Sequence, residues 1–139
     1  MKRKFNTILL IITLTITVML ARPAFAQQRL SVDIIGKTAT LVDGGQAVEL
    51  KVKTVCAIEG VQVLEAFVYV TQNGNTSQFA PIPVSCGDNP RPQKSVVRIP
   101  ALDFLFQEGE ANTSAFVLVY NPVTGEDFST GDTEIIRIR

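Results

Sequence analysis

The fold class is decided by residues 62–74, which read QVLEAFVYVTQNG. The segment is rich in Val, Phe and Tyr, which favour a pleated strand, and it ends in Asn73-Gly74, the strongest short signal for a hairpin turn. Apolar and other side chains alternate in the same way through most of the chain after residue 29, and no window repeats apolar residues at helical spacing. We therefore predict an all-β protein.

Seven short strands account for this alternation. The predicted strands are residues 30–41, 48–56, 62–71, 79–85, 95–99, 115–120 and 133–139. The first has a break at Gly36, and the fourth contains Pro81 and Pro83, which cannot donate to a ladder, so we expect an edge strand there. Seven short strands of this kind in about a hundred residues are typical of an immunoglobulin-like antiparallel β-sandwich.

One group of residues follows a recognisable order: Leu105, Gly109, Phe116, Val117, Val119, Asn121 and Gly125. This order resembles the fibronectin type III pattern, in which Leu and Gly precede the sixth strand and an Asn-x-x-x-Gly-like turn follows it. The resemblance implies a binding or spacer module, since such domains rarely perform chemistry. The chain departs from that family in having no Trp.

The first 26 residues have the three parts of a secretory signal peptide. Basic residues 2–4 precede an apolar run at 8–20, and residues 24–26, Ala-Phe-Ala, supply a small-x-small cleavage site. The run is shorter than the ~20 apolar residues that cross a bilayer. We predict that residues 1–26 are removed and that 27–139 form one domain without a membrane span. We expect this domain to be secreted or periplasmic in a bacterium; the alternative is an uncleaved anchor.

Export bears on Cys56 and Cys86, because an oxidising compartment allows a disulfide to form and persist. Counting strand directions places both residues at the same end of the domain, which we call the cysteine pole. Closing a loop of about thirty residues would stabilise the fold by roughly 3 to 4 kcal/mol in the chain-entropy model. We predict a disulfide; two buried free thiols are the alternative.

The composition excludes several classes of partner and reaction. Removal of residues 1–26 leaves nine basic and thirteen acidic residues, a net charge of about −4, with no basic stretch for nucleic acid or anionic lipid. The chain has no His, which excludes His-assisted nucleophiles and His-ligated zinc. Carboxylate pairs remain as an acid and a base, Glu108 with Glu110 or Glu126 with Asp127, but no cleft is implied around them. We predict a protein that is not an enzyme and has no cofactor.

Loops at the cysteine pole are the predicted binding surface, since variable domains carry their antigen-binding loops at the corresponding end. The candidate residues are Arg91 and Lys94 in the loop 87–94, and Glu126, Asp127 and Phe128 in the loop 121–132. Stiff charged loops and an aromatic at a loop tip suit recognition. The alternatives are solvated charges and a Phe128 that folds back onto the core.

The loop 121–132 and the residues that follow it also have carboxylates of the kind that calcium prefers. The candidate ligands are Glu126, Asp127, Asp132 and Glu134. Their spacing differs from that of an EF-hand, and a solvated loop is the alternative.

We therefore predict a secreted, monomeric, non-enzymatic immunoglobulin-like module that binds a protein or a surface glycan through loops at the cysteine pole. The alternative is a structural subunit of a pilus or surface layer, in which an exposed edge strand pairs with a neighbouring subunit.

Overall fold

The computed structural model describes residues 30–88 and 91–139; the predicted signal peptide, residues 27–29 and two residues of the loop 87–94 lie outside the described residues. The strands are β1 Leu30–Val42, β2 Ala47–Cys56, β3 Gln62–Gln72, β4 Asn75–Thr76, β5 Ala80–Pro81, β6 Gln93–Pro100, β7 Gly109–Tyr120 and β8 Asp127–Ile138. A 3-10 turn, Asp43–Gly45, joins β1 to β2. The all-β prediction is confirmed. Across the described ranges no helix is long and apolar enough to span a membrane.

Strand β1 joins two sets of strands. In the first set, β1 pairs with β2 and β2 pairs with β6, in both cases antiparallel. In the second set, β7 lies between β3 and β8, and the short strands β4 and β5 pair with β3. The sets are continuous because Thr38 and Ala39 of β1 pair parallel with Arg137 and Ile138 of β8. The result is one mixed sheet in the order β4-β3-β7-β8-β1-β2-β6, which corrects the prediction of purely antiparallel pairing.

The parallel contact follows from the predicted break in β1. Gly36 and Lys37 adopt positive φ angles of 82° and 50°, and the register with β2 shifts between Ile35 and Thr40. Gly tolerates such a backbone because it has no Cβ atom. The break turns the second half of β1 toward β8, so one strand pairs with both sets.

Buried side chains of both sets form one hydrophobic cluster, as expected from the alternation. The first set contributes Val48, Leu50, Val52, Val97 and Ile99, and the second contributes Val68, Val70, Val117, Val119 and Ile136, among others. Because successive side chains point to opposite faces of a strand, burial of these residues leaves their sequence neighbours on the outer faces of the sheet.

Three strands differ in extent from the prediction, and one of them, the sixth (115–120), begins six residues earlier, at Gly109 of β7. The fourth predicted strand, 79–85, forms a strand only at Ala80–Pro81, with one further bond from the Ile82 N–H to the Ala66 carbonyl at 3.0 Å, and Pro81 and Pro83 lack the N–H that a longer ladder needs. The last strand begins at Asp127 and not at residue 133, since its first half pairs with β7. The predicted loop 121–132 is therefore a turn of residues 121–126.

The predicted disulfide between Cys56 and Cys86 is confirmed. The two Cα atoms lie 4.6 Å apart, and the N–H of Gly87 donates to the carbonyl of Cys56 at 3.2 Å. Cys56 ends β2 opposite Leu30, so the bond ties the segment that precedes β6 to the end of the first set of strands.

Candidate functional site

The structure places the five predicted binding residues on different elements. Glu126 and Asp127 are exposed at the turn between β7 and β8, and Arg91 is exposed in the segment before β6. Lys94 lies on β6, where it pairs with Lys53 of β2 and not with the loops. Lys94 therefore lies on a strand and not in the predicted loop.

Phe128 is not at a loop tip. It is the second residue of β8, it pairs with Val119, and its half-buried ring packs against the hydrophobic cluster. The loop was expected to be longer because the first half of β8 is polar and lacks clear apolar alternation. The position of the Phe128 ring fits the alternative in which Phe128 folds back onto the core.

Three of the four candidate calcium ligands, Asp127, Asp132 and Glu134, lie along β8, Glu126 lies in the turn before it, and two of the four already have partners. The Asp132 carboxylate accepts the Ile34 N–H at 2.8 Å, and Glu134 lies 3.7 Å from the Lys37 ammonium. Asp127 and Asp132 are five residues apart on an extended strand, roughly 16 Å. Among residues 30–88 and 91–139, no three His, Cys, Asp or Glu side chains are grouped to hold a metal ion.

A cluster of four aromatic rings on the outer face of β3 and β7 is the most distinctive surface feature of the described chain. We call Phe67, Tyr69, Phe79 and Phe116 the aromatic face. The Phe67 ring lies with its centroid 5.0 Å from that of Phe79 and 5.6 Å from that of Phe116, and Tyr69 lies 5.1 Å from Phe79. These separations are typical of interacting aromatic pairs.

The three outer-face rows that carry most of the aromatic face are uncharged. Cross-strand pairing over β3, β7 and β8 creates three neighbouring rows on the outer face: Phe67, Phe116 and Gly131; Tyr69, Ser114 and Thr133; Thr71, Asn112 and Ile135. Hydroxyl groups in these rows are hydrogen-bonded, Ser114 to Thr133 at 3.2 Å and Thr71 to Thr76 at 3.1 Å. The nearest charged position on β3 is Glu65, in the next row.

Phe79 is the most exposed residue of the aromatic face, with 65% of its surface accessible. The two residues before it nevertheless restrain its backbone by hydrogen bonds to β3 and to β6. The N–H of Ser77 donates to the Val70 carbonyl, and the Ser77 hydroxyl accepts the Val70 N–H, both at 2.9 Å. The N–H of Gln78 donates to the Pro100 carbonyl at 3.0 Å. An exposed aromatic side chain on a restrained backbone loses little further freedom on binding, which favours affinity.

Sequence reasoning missed this surface. Gly131 lies in the predicted loop 121–132, so its place in a strand gave no signal. Phe67 and Tyr69 are two residues apart, which places them on one face of a strand. That signal was readable. The approach of Phe79 and Phe116 to them was not, because it depends on pairing between distant segments.

Comparison with known proteins finds no matching family model, no similar curated protein and no similar solved structure. We therefore infer the function from the geometry of the described surfaces.

Proposed function

We propose that this protein is a secreted, non-enzymatic binding module with an immunoglobulin-like arrangement of strands, and that it binds an uncharged glycan through the aromatic face. The observation that carries the proposal is Phe79, a 65% exposed ring within a four-ring cluster that is bordered by uncharged hydroxyl and amide side chains.

The division of strands supports the immunoglobulin-like arrangement. Of the seven predicted strands, the first, second and fifth (β1, β2, β6) form one set, and the third, sixth and seventh (β3, β7, β8) form the other. Immunoglobulin-like sandwiches divide these strands between their two sheets in the same way. The departures are the fourth strand, which is short and pairs with β3 of the second set, and the parallel contact between β1 and β8.

The disulfide supports export, since such bonds persist in oxidising compartments. The predicted cleavage before Gln27 is tested separately by the intact mass of protein recovered from the exporting cell. A mass that begins at Gln27 supports secretion, and a mass that begins at Met1 contradicts cleavage.

The chemistry of the aromatic face favours a glycan as the ligand. A pyranose ring exposes C–H groups on its faces, and the faces of aromatic rings carry the partial negative charge that attracts them. The hydroxyls of Ser114 and Thr133 and the amide of Asn112 can exchange hydrogen bonds with sugar hydroxyls at the rim. A charged ligand would lose its hydration over the three uncharged rows without gaining a partner.

The test measures retention of the mature protein on cellulose, xylan, mannan and chitin, with alginate as a polyanionic comparison. We expect retention on at least one of the four neutral polysaccharides, and Phe79→Ala should weaken it about three- to tenfold, the value of one aromatic contact. Val123→Ala is the matched control, since Val123 is 91% exposed at the turn between β7 and β8. Failure to bind any neutral polysaccharide, or equal loss in both variants, would overturn the proposal.

A subunit that assembles through an edge strand is the second candidate. The observation that favours it is β6, which ends the strand order and pairs with β2 alone. Concentration-dependent assembly of the mature protein on a sizing column would support this candidate, and a monomer at all concentrations would exclude it.

A further inference from the structure

The outer face of the first set of strands carries a cluster of lysines that the register assembles. Lys51 and Lys53 are two residues apart on β2 and therefore point to the same face, and Lys94 of β6 pairs with Lys53. Directly opposite side chains have Cβ atoms about 4.5 to 5.5 Å apart, and diagonal neighbours such as Lys94 and Lys51 are about 7 to 8 Å apart. We call Lys51, Lys53 and Lys94 the lysine face.

The charge of this surface differs in sign from that of the domain. Pairing across β1, β2 and β6 creates three outer rows: Asp33, Lys53 and Lys94; Ile35, Lys51 and Val96; Thr40, Glu49 and Arg98. These rows hold four basic and two acidic residues, whereas residues 27–139 as a whole have a net charge of about −4. Arg98 is paired with Asp43, so the excess of cations is concentrated on the lysine face. Such an excess attracts anions to this side of the domain.

Two of the three lysines lack a carboxylate partner. Lys53 lies 3.8 Å from Asp33. Within the described ranges, no carboxylate lies within ion-pair distance of Lys51 or Lys94. Because Lys94 also faces Lys53, and like charges directly opposite one another are unfavourable, an added carboxylate would gain attraction and relieve repulsion.

A groove crosses the lysine face beside Lys51. It consists of two adjoining hollows of about 430 and 310 Å³, both of which are lined by Ile35, Lys51 and Val96. Val96 is 63% exposed, so it offers apolar surface to a ligand. The hollows also reach three residues with hydroxyl groups, Thr38, Thr40 and Ser95. The groove therefore combines cations, hydroxyl groups and a small apolar surface.

The break in β1 opens this groove. After Ile35 the register between β1 and β2 shifts, and Gly36, which lines the larger hollow, contributes no side chain to fill it. On the uninterrupted strand β2, residues 49–53 span roughly 13 Å beneath the groove. The groove is thus long enough for a short run of linked residues of a polymer.

An extended acidic peptide suits the groove less well than an acidic polysaccharide. Strand β2 is paired on both sides, so this face presents side chains and no row of free backbone groups. A peptide lying here would lose hydration at its own N–H and carbonyl groups without gaining partners. Sugar hydroxyls both donate and accept, so they can pair with lysine amines and with the hydroxyls of Thr38 and Ser95.

We propose that the lysine face binds an acidic polysaccharide. A carboxylate of the chain lies between Lys51 and Lys94, and the sugar rings lie in the groove against Ile35 and Val96. Glu49 lines the other end of the groove and confines the anionic contacts to the end near Lys94. This site is separate from the aromatic face and does not depend on the binding of a neutral glycan there.

The probes are hexamannuronate and mannohexaose of the same linkage, which has a neutral hydroxymethyl group in place of each carboxylate. We expect hexamannuronate alone to shift the amide NMR signals of Lys51, Lys53, Lys94 and Val96, with an affinity that falls at high salt. Equal shifts of these signals by mannohexaose, or no shift by hexamannuronate, would overturn the proposal.

A hexaglutamate peptide, acetylated and amidated, tests an acidic protein segment as the occupant. It has the same number of carboxylates as hexamannuronate but no hydroxyl groups, so we expect it to bind more weakly. Equal or tighter binding of the peptide at the same amide signals would assign the face to an acidic protein and overturn the choice of a polysaccharide.

Two double variants test the role of charge. Lys51→Gln with Lys94→Gln should weaken hexamannuronate binding about tenfold, because two exposed ion pairs are lost. Lys51→Arg with Lys94→Arg is the matched control, which keeps both charges and should keep most of the affinity. The circular dichroism spectrum checks the fold of each variant. Unchanged affinity in the Gln variant, or an equal loss in the Arg variant, would contradict the role of the two ammonium groups.

Phe79→Ala separates the two proposed sites. It should leave the affinity for hexamannuronate unchanged, whatever its effect on neutral polysaccharides, because Phe79 belongs to the aromatic face on the other set of strands. A loss of hexamannuronate affinity as large as that of the Gln variant would place the acidic chain on the aromatic face and overturn the assignment to the lysine face.

Discussion

Phe116 and Gly131 lie directly opposite each other on β7 and β8, and the missing side chain of Gly131 leaves the space beside the Phe116 ring open. A Cβ atom added to Gly131 would lie 3.9 Å from Cδ2 of Phe116 and 3.2 Å from the Ala115 carbonyl oxygen. Glycine weakens a strand in general, so its place here is consistent with a ring that needs this space. The aromatic face thus depends on a residue that contributes no side chain to it.

Gly131→Val should displace the Phe116 ring, because its methyl groups extend beyond the Cβ position that already touches the ring. We expect retention on the neutral polysaccharide to fall about as much as in Phe79→Ala, by about three- to tenfold. Gly131→Ala is the control and should retain most binding. Wild-type retention of Gly131→Val would show that the ring position is irrelevant to binding.

Gly45 should tolerate no side chain. Its φ is +93°, and an added Cβ atom would lie 2.4 Å from the Phe106 carbonyl oxygen, while the Gly45 carbonyl accepts the Phe106 N–H at 2.8 Å. We expect Gly45→Ala to lower the free energy of unfolding by about 3 kcal/mol or more, from backbone strain together with the steric clash. The measurement is the urea unfolding midpoint.

The matched control for this substitution is Gly44→Ala in the same turn. Gly44 also has a positive φ, of 65°, but nothing lies within 4 Å of an added Cβ atom. Only the left-handed backbone cost of about 1 to 2 kcal/mol then applies. Equal destabilisation by the two substitutions would mean that the clash between the added Cβ atom and the Phe106 carbonyl does not affect the free energy of unfolding.

Removal of the disulfide should lower stability by about 3 to 4 kcal/mol, the chain-entropy value for a closed loop of about thirty residues. The test compares the unfolding free energy of the oxidised protein with that of Cys56→Ala combined with Cys86→Ala. Because Cys56 is fully buried, Cys86→Ala with the reduced Cys56 thiol retained serves as the control for loss of core volume. A difference under about 1 kcal/mol would contradict the predicted contribution.

Asp132 should stabilise the point at which β1 changes partner. The Ile34 N–H points away from β2, and the Asp132 carboxylate accepts it at 2.8 Å where backbone pairing with β8 has not yet begun. Asp132→Ala leaves that donor unpaired, and we expect a loss of about 1 to 3 kcal/mol. Asp127→Ala, at an exposed position of the same strand, should change stability little. The two variants are compared by chemical unfolding, and an equal effect would count against this role.

Phe128 and Phe79 should respond in opposite ways to truncation. Phe128 packs against the hydrophobic cluster, so Phe128→Ala should cost about 1 to 3 kcal/mol of stability, less than for a fully buried ring. Phe79→Ala should leave the unfolding midpoint nearly unchanged and lower polysaccharide retention. A stable Phe128→Ala variant with impaired retention would return the binding site to the cysteine pole.

The predicted strands agree with the structure wherever the signal is local. The alternation in β2, β3 and β6, the break at Gly36 and the turn at Asn73-Gly74 all lie where the sequence indicates. Each depends on a residue and its immediate neighbours. The predicted export and the predicted strand directions likewise led to the pairing of Cys56 with Cys86, which the structure contains.

The first half of β8 shows where local signals end. Residues 127–132 read DFSTGD, with turn formers and carboxylates that favour a loop, yet they form a strand because every residue pairs with β7. A polar strand of this kind obtains its stability from a partner, and the partner lies outside the window in which a sequence pattern is read.

The sequence by itself determined most of the strands, their turns and the disulfide, because alternation, turn chemistry and strand direction are properties of short segments. Only the tertiary structure decided which surfaces these strands create. Phe67 meets Phe116 across two paired strands, and Lys94 faces Lys53 across two others, through registers that no single segment encodes. The register of each strand pair is set by burial of its inner face in a common core. The arrangement of side chains on the outer face, and with it the proposed binding surfaces, follows from that register.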